Sequence, residues 1–75
     1  MEKLAIMISE LMIENYENIG SENIKYDGLQ EEFEYHKGFI ERVKTNEVAN
    51  EEMKDYIEKY KEDSYVKTYL ENVYK

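Results

Sequence analysis

Residues 4–16 read LAIMISELMIENY, and the fold follows from how this stretch is shielded from water. Nine of the thirteen positions are apolar, and only Ser9, Glu10, Glu14 and Asn15 interrupt them. On a helix, Leu4, Ile8, Leu11 and Asn15 share one strip, while Ala5, Met12, Tyr16 and Ile19 share the adjacent one. Ile6, Met7 and Ile13 widen the band past the stripe expected of a surface helix. A helix this apolar needs cover on most sides, from the rest of the chain or from a second copy. The spacing predicts a helix from about Glu2 to Asn18, closed by Gly20 as a left-handed C-cap, with Ser21–Tyr26 as a connector.

Beyond the connector, Asp27 is placed to cap a second helix, with Gln30 three residues on as its capping-box partner. Leu29, Phe33, His36, Ile40 and Val43 then follow at helical spacing, with Phe39 beside them. The competing reading is a short hairpin around Tyr26–Leu29 followed by an alternating strand, which would make the chain α+β. Glu31, Glu32 and Glu34 are poor strand residues, so the helix is preferred. Thr45–Asn50 forms a second joint, and Asn50 is the expected N-cap of a third helix with Met53, Tyr56, Ile57 and Tyr60 on its apolar face. Glu58–Lys61, Lys54–Glu58 and Lys59–Asp63 are spaced as weak surface pairs. From Tyr60 the apolar phase jumps to Val66, Leu70 and Val73, a rotation of about 240° on a helix. The chain is therefore expected to break near Asp63–Ser64, either of which can cap a fourth helix. The expectation is a single all-α domain over residues 1–75, a bundle of three to four helices around the first.

Seventy-five residues without cysteine leave no disulfide and no thiolate metal site to support a small core. A chain this short buries only about 60% of its unfolded surface, so oligomerisation, a homodimer for instance, is a realistic source of extra buried area. No secretory signal or membrane-length apolar run is visible, and a cytoplasmic location is the default expectation.

The net charge of −8 is unevenly spread. Residues 1–36 hold nine acids against two lysines, a balance of −7; residues 37–75 hold nine acids against eight bases, a balance of −1. Direct nucleic-acid binding is disfavoured, because it depends on neutralising phosphates. A basic protein surface is the natural complement. Glu10, Glu14 and Glu17, and again Asp27, Glu31 and Glu34, follow i, i+4, i+7, so each set makes an acidic ridge that can join the other if the two helices are antiparallel neighbours. Among the eight tyrosines, Tyr65, Tyr69 and Tyr74 are candidates for an exposed contact patch, since the C-terminal segment holds more aromatic surface than a small core needs.

Catalysis finds little support. Ser9, Ser21 and Ser64 have no nucleophile elbow, and no phosphate-cradling glycine loop is present. His36 is the single histidine, at a core position, where packing and local hydrogen bonding are its expected role. Glu32 lies four residues before it, but no second Glu-x-x-His pair exists to build a di-metal site, and no cofactor is expected. The string Glu34-Tyr35-His36-Lys37-Gly38 locally resembles a segment of small phage inhibitors of uracil-DNA glycosylase, acidic proteins that mimic DNA. Those inhibitors carry the segment in a sheet, and no functional residue is transferred from it. Together these features suggest a small non-enzymatic binding module of bacterial or phage type that inhibits or regulates a basic, nucleic-acid-binding protein by charge mimicry. The alternative is a homodimeric structural or adaptor protein whose acidic surface serves solubility.

Overall fold

The computed structural model describes residues 1–26 and 28–73. Five helices follow one another: α1 (Glu2–Ile19), α2 (Ser21–Tyr26), α3 (Gln30–Lys44), α4 (Asn50–Tyr60) and α5 (Ser64–Val73). No strand occurs among the described residues, so the fold is all-α and the hairpin alternative is set aside. The Cα atoms fill a slab of 34 × 32 × 16 Å. Helix α1 lies at its centre and touches each of the other four helices, α3 most extensively.

The width of the apolar band explains that position. Ala5, Ile8, Leu11, Met12 and Tyr16 are buried, and Leu4, Ile6, Met7 and Ile19 are partly covered against the same core. Removing that much apolar surface from water is the main stabilising term for a chain of this size. Ser9 is also buried, and its hydroxyl donates to the carbonyls of Ala5 and Ile6, each at 2.9 Å, so the helix itself satisfies this polar group.

The stretch 21–26 is a correction: it is a helix, α2, and not a connector. Gly20 adopts φ 94° and ψ 141°, a positive-φ conformation but not the left-handed helical cap expected, and helical structure resumes at the next residue. Ile24 anchors the short helix in the core, and Asn23 Nδ2 donates to the Ile19 carbonyl at 2.9 Å. Gly28, at φ 72°, terminates α2: the Leu29 N–H bonds the Ile24 carbonyl at 2.9 Å and the Gly28 N–H bonds that of Lys25 at 3.3 Å. This is the paired 6→1 and 5→2 pattern of a Schellman ending, which needs a residue tolerant of positive φ. The supposed hairpin turn is therefore a helix stop.

Helix α3 starts at Gln30, with Leu29 at the capping position and no side-chain cap. Asp27, expected to cap it, lies outside the described residues. Gln30 does not complete a capping box; its Nε2 donates instead to Glu34 Oε1 at 2.9 Å. The seam is otherwise as the spacing predicts: His36, Phe39, Ile40 and Val43 are buried, while Leu29 and Phe33 pack at its margin.

The start of α4 is displaced by one residue. Ala49, at φ −68° and ψ 153°, occupies the N-cap, and its carbonyl accepts the Met53 N–H at 3.0 Å. Asn50 is thus the first helical residue and not the cap. Val48 and Met53 flank the cap at hydrophobic-staple positions and are both buried, which suits this register.

Met53, Tyr56, Ile57 and Tyr60 all face inward. The break after Tyr60 is present: Asp63 Oδ1 accepts the N–H groups of Tyr65 at 3.0 Å and Val66 at 3.4 Å, capping α5. Val66 is buried and Leu70 partly so, whereas Val73 projects outward at 53% exposure, against its expected place on the apolar face. Among the described residues Glu58 and Lys61 pair at 3.1 Å, but the Lys54–Glu58 and Lys59–Asp63 pairs do not form; Lys59 lies over the Tyr60 ring instead. No described helix is long and apolar enough to cross a membrane.

Candidate protein-interaction surface

The ridge on α1 is where helical geometry puts it. Glu10, Glu14 and Glu17 sit roughly 120–180° around the helix from the inward-facing Ala5, Met12 and Tyr16. All three glutamates are exposed. Glu31 and Glu34 are exposed on α3, similarly remote from its buried seam. The third member of that ridge, Asp27, lies outside the described residues.

Whether the two ridges merge depends on the seam between their helices. Tyr16 meets Phe33 and His36 across it, with ring centroids 6.0 and 5.7 Å apart. Lys37 extends over the Phe33 ring, its Nζ 5.0 Å from the centroid. A half-buried aromatic and a lysine therefore stand at the junction, and because Tyr16 makes this contact from the side of α1 remote from Glu10, Glu14 and Glu17, the two ridges do not join into one acidic face.

The ion pairs are found elsewhere. Arg42–Glu52 at 3.0 Å, Glu58–Lys61, and Glu62–Lys67 at 3.8 Å all join acids and bases of the second half. Among the described residues none of Glu10, Glu14, Glu17, Glu31 or Glu34 has a basic partner within 4.0 Å. Their charge is left facing solvent.

On its other flank α1 meets α5. Tyr65 and Tyr69, both expected to be exposed, differ: Tyr69 is 42% exposed and Tyr65 is half-buried. The Tyr65 phenol is raised above its usual range, by desolvation first and then by the Glu14 carboxylate, with Asn18 acting the other way. Glu14 and Tyr65 are thus neighbours, and the α1 ridge abuts the tyrosine patch. Asn15, Ser64, Tyr65, Thr68, Tyr69 and Asn72 line an open groove there, of about 490 Å³. The spacing of Glu14 and Tyr65 in sequence gave no sign of this contact, which depends on α5 folding back along α1. Tyr74 lies outside the described residues.

His36 is fully buried, ringed by Tyr16, Tyr35, Tyr56 and Tyr60. Its Nδ1 lies 2.7 Å from Tyr56 Oη, while Nε2 has no hydrogen-bond partner. Glu32 Oε2, at 3.9 Å from Nε2, is too far for a hydrogen bond. Burial lowers the imidazole pKa against the opposing pull of Glu32 and Asp63, and Lys59 adds to the lowering. The same burial raises the phenols of Tyr16, Tyr35, Tyr56 and Tyr60. Sealed from solvent in neutral form, this centre fits a structural role. Among the described residues no group of three or more His, Cys, Asp or Glu side chains is arranged to hold a metal.

Comparison with protein-family models, curated proteins and solved structures finds no match for this chain. The local resemblance of residues 34–38 to the glycosylase inhibitors has no structural counterpart, because the segment lies in the middle of α3 and not in a sheet.

Proposed function

We propose that the chain is a small non-enzymatic binding module that engages a basic protein surface, of the kind used to hold nucleic acid, and thereby inhibits or regulates its owner. One observation carries this reading: five exposed glutamates of the two ridges lack basic partners among the described residues, while the ion pairs lie in the second half of the chain. Unneutralised charge held on rigid helices raises the on-rate and selects for the opposite sign. Spacing on a helix gives the carboxylates a fixed order, as phosphates have along a strand. Replacing Glu14 and Glu31 by lysine should abolish partner capture from a bacterial lysate. Unchanged capture, or capture indifferent to added salt, contradicts the proposal.

A second reading, a homodimer, has its own support at the other end of α1. Met1, Lys3, Leu4, Met7, Leu70 and Glu71 line a mostly apolar groove of about 680 Å³, and Met1 and Val73 are exposed nearby. Lys3 on α1 and Glu71 on α5 would suit a twofold arrangement in which each pairs with the other across copies. A strict monomer by light scattering at high concentration rules this reading out.

A further inference from the structure

The two ring nitrogens of the buried His36 are served unequally. Nδ1 lies 2.7 Å from Tyr56 Oη, whereas Nε2 is buried without a hydrogen-bond partner. A buried polar atom left unpaired costs free energy, so an acceptor within one rotamer change of it gains by moving in. Glu32 Oε2 is such an acceptor: it lies 3.9 Å from Nε2, one turn earlier on α3, on a side chain that is 51% exposed. Exposed side chains change rotamer rapidly, and about 1 Å of travel brings this oxygen into hydrogen-bond range.

The other groups facing the ring do not compete for this role. Tyr16 from α1, Tyr35 from α3, and Tyr56 and Tyr60 from α4 present phenols, which stay neutral where an imidazole titrates. Lys59 on α4 and Asp63 before α5 also act on His36 through charge. Among the described residues, however, Glu32 is the one carboxylate within 4.0 Å of it.

We propose that Glu32 is a proton-operated latch: when His36 takes up a proton, the Glu32 side chain turns inward and accepts a hydrogen bond from Nε2–H. A neutral N–H attracts a solvated carboxylate only as a dipole, while an imidazolium attracts it with a full charge and makes the bond short and strong. Burial still outweighs the carboxylate, so closure comes as the pH falls below the ordinary 6.5 of an imidazole. It withdraws one negative charge from the surface and folds the first turn of α3 over the aromatic centre. The latch limits the acid sensitivity of the fold without abolishing it, and it does not depend on the acidic-surface reading.

The test follows the intact chain by NMR from about pH 7.5 to about pH 4.5, across the imidazole range. As His36 titrates, the nuclear Overhauser contact between Glu32 Hγ and His36 Hε1 should strengthen; the native chain alone supplies this readout. Glu32→Gln keeps an acceptor and removes the charge, and should lower the His36 midpoint by about one unit. Glu31→Gln, at the neighbouring exposed position, should leave that midpoint in place. A contact that stays constant through the titration means a fixed carboxylate and overturns the latch. A midpoint unmoved by Glu32→Gln, moved equally by Glu31→Gln, or absent because His36 stays neutral throughout overturns it as well.

Discussion

His36 Nδ1 and Tyr56 Oη lie 2.7 Å apart in the core, joining α3 to α4 across twenty residues of sequence. The nearby Glu32 carboxylate favours the tautomer that carries its proton on Nε2, in which the Tyr56 hydroxyl donates to Nδ1. Tyr56 also stacks on Phe39, with centroids 3.7 Å apart and planes inclined by 8°. Tyr56→Phe keeps that stack and removes only the hydroxyl, leaving a buried nitrogen without a partner. A loss of about 1–3 kcal/mol in urea unfolding is expected. No measurable loss would mean that the pair is not formed in solution.

Acid should weaken the fold through the same histidine. Burial holds the folded-state pKa below the ordinary 6.5. The unfolded chain takes up its proton first as pH falls, so the unfolded state binds more protons over that interval and stability declines from about pH 6.5 downward, levelling below the folded-state value. Above that interval His36 is neutral in both states and its contribution is fully present. The Tm of the native chain should therefore drop relative to His36→Gln on acidification, with the two curves parallel at higher pH. Curves parallel throughout would contradict the sign.

Gly28 is the stop of α2, and its φ of 72° suits glycine. An added Cβ would meet nothing within 4 Å, so the penalty of Gly28→Ala comes from backbone conformation alone. It should cost about 1–2 kcal/mol, read from chemical denaturation. A neutral result would show that the Schellman ending is not retained.

The cap of α5 gives a local prediction. Asp63→Ala removes the acceptor of the Tyr65 and Val66 amides and should destabilise the chain by about 0.5–2 kcal/mol. Because α5 forms one wall of the tyrosine groove, the loss should appear as faster hydrogen exchange in α5 before α3 or α4 is affected. Uniform acceleration across all helices would instead mean that α5 opens only with the whole fold.

Much of the architecture was legible because it rests on periodicity and on side chains with strong local preferences. The broad band of α1, the seam of α3, the face of α4 and the phase jump capped by Asp63 can each be read within a few turns of chain. Helix α2 was not, since six residues are too few for a repeat and its single deep anchor, Ile24, gains meaning only once the core exists. Its two bounding glycines are the available signal, and Gly28 figures only in the competing hairpin reading. The acidic ridges needed only helical spacing. The contact of Glu14 with Tyr65 and the pairing of His36 with Tyr56 required the packing of distant helices, which local patterns do not encode.

Location, and not total charge, is the core of the functional account, and two variants of equal net charge separate these. Glu14→Lys with Glu31→Lys puts one lysine into each ridge; Glu58→Lys with Glu62→Lys makes the same change in total charge on the other half. Each immobilised protein would be used to capture a partner from a bacterial lysate, followed by elution from about 0.1 M to about 0.5 M salt, over which charge screening tightens. The account predicts that a basic protein retained by the native chain and by the second variant, and released by salt, is lost from the ridge variant. Equal retention by both variants, or equal loss from both, would contradict it.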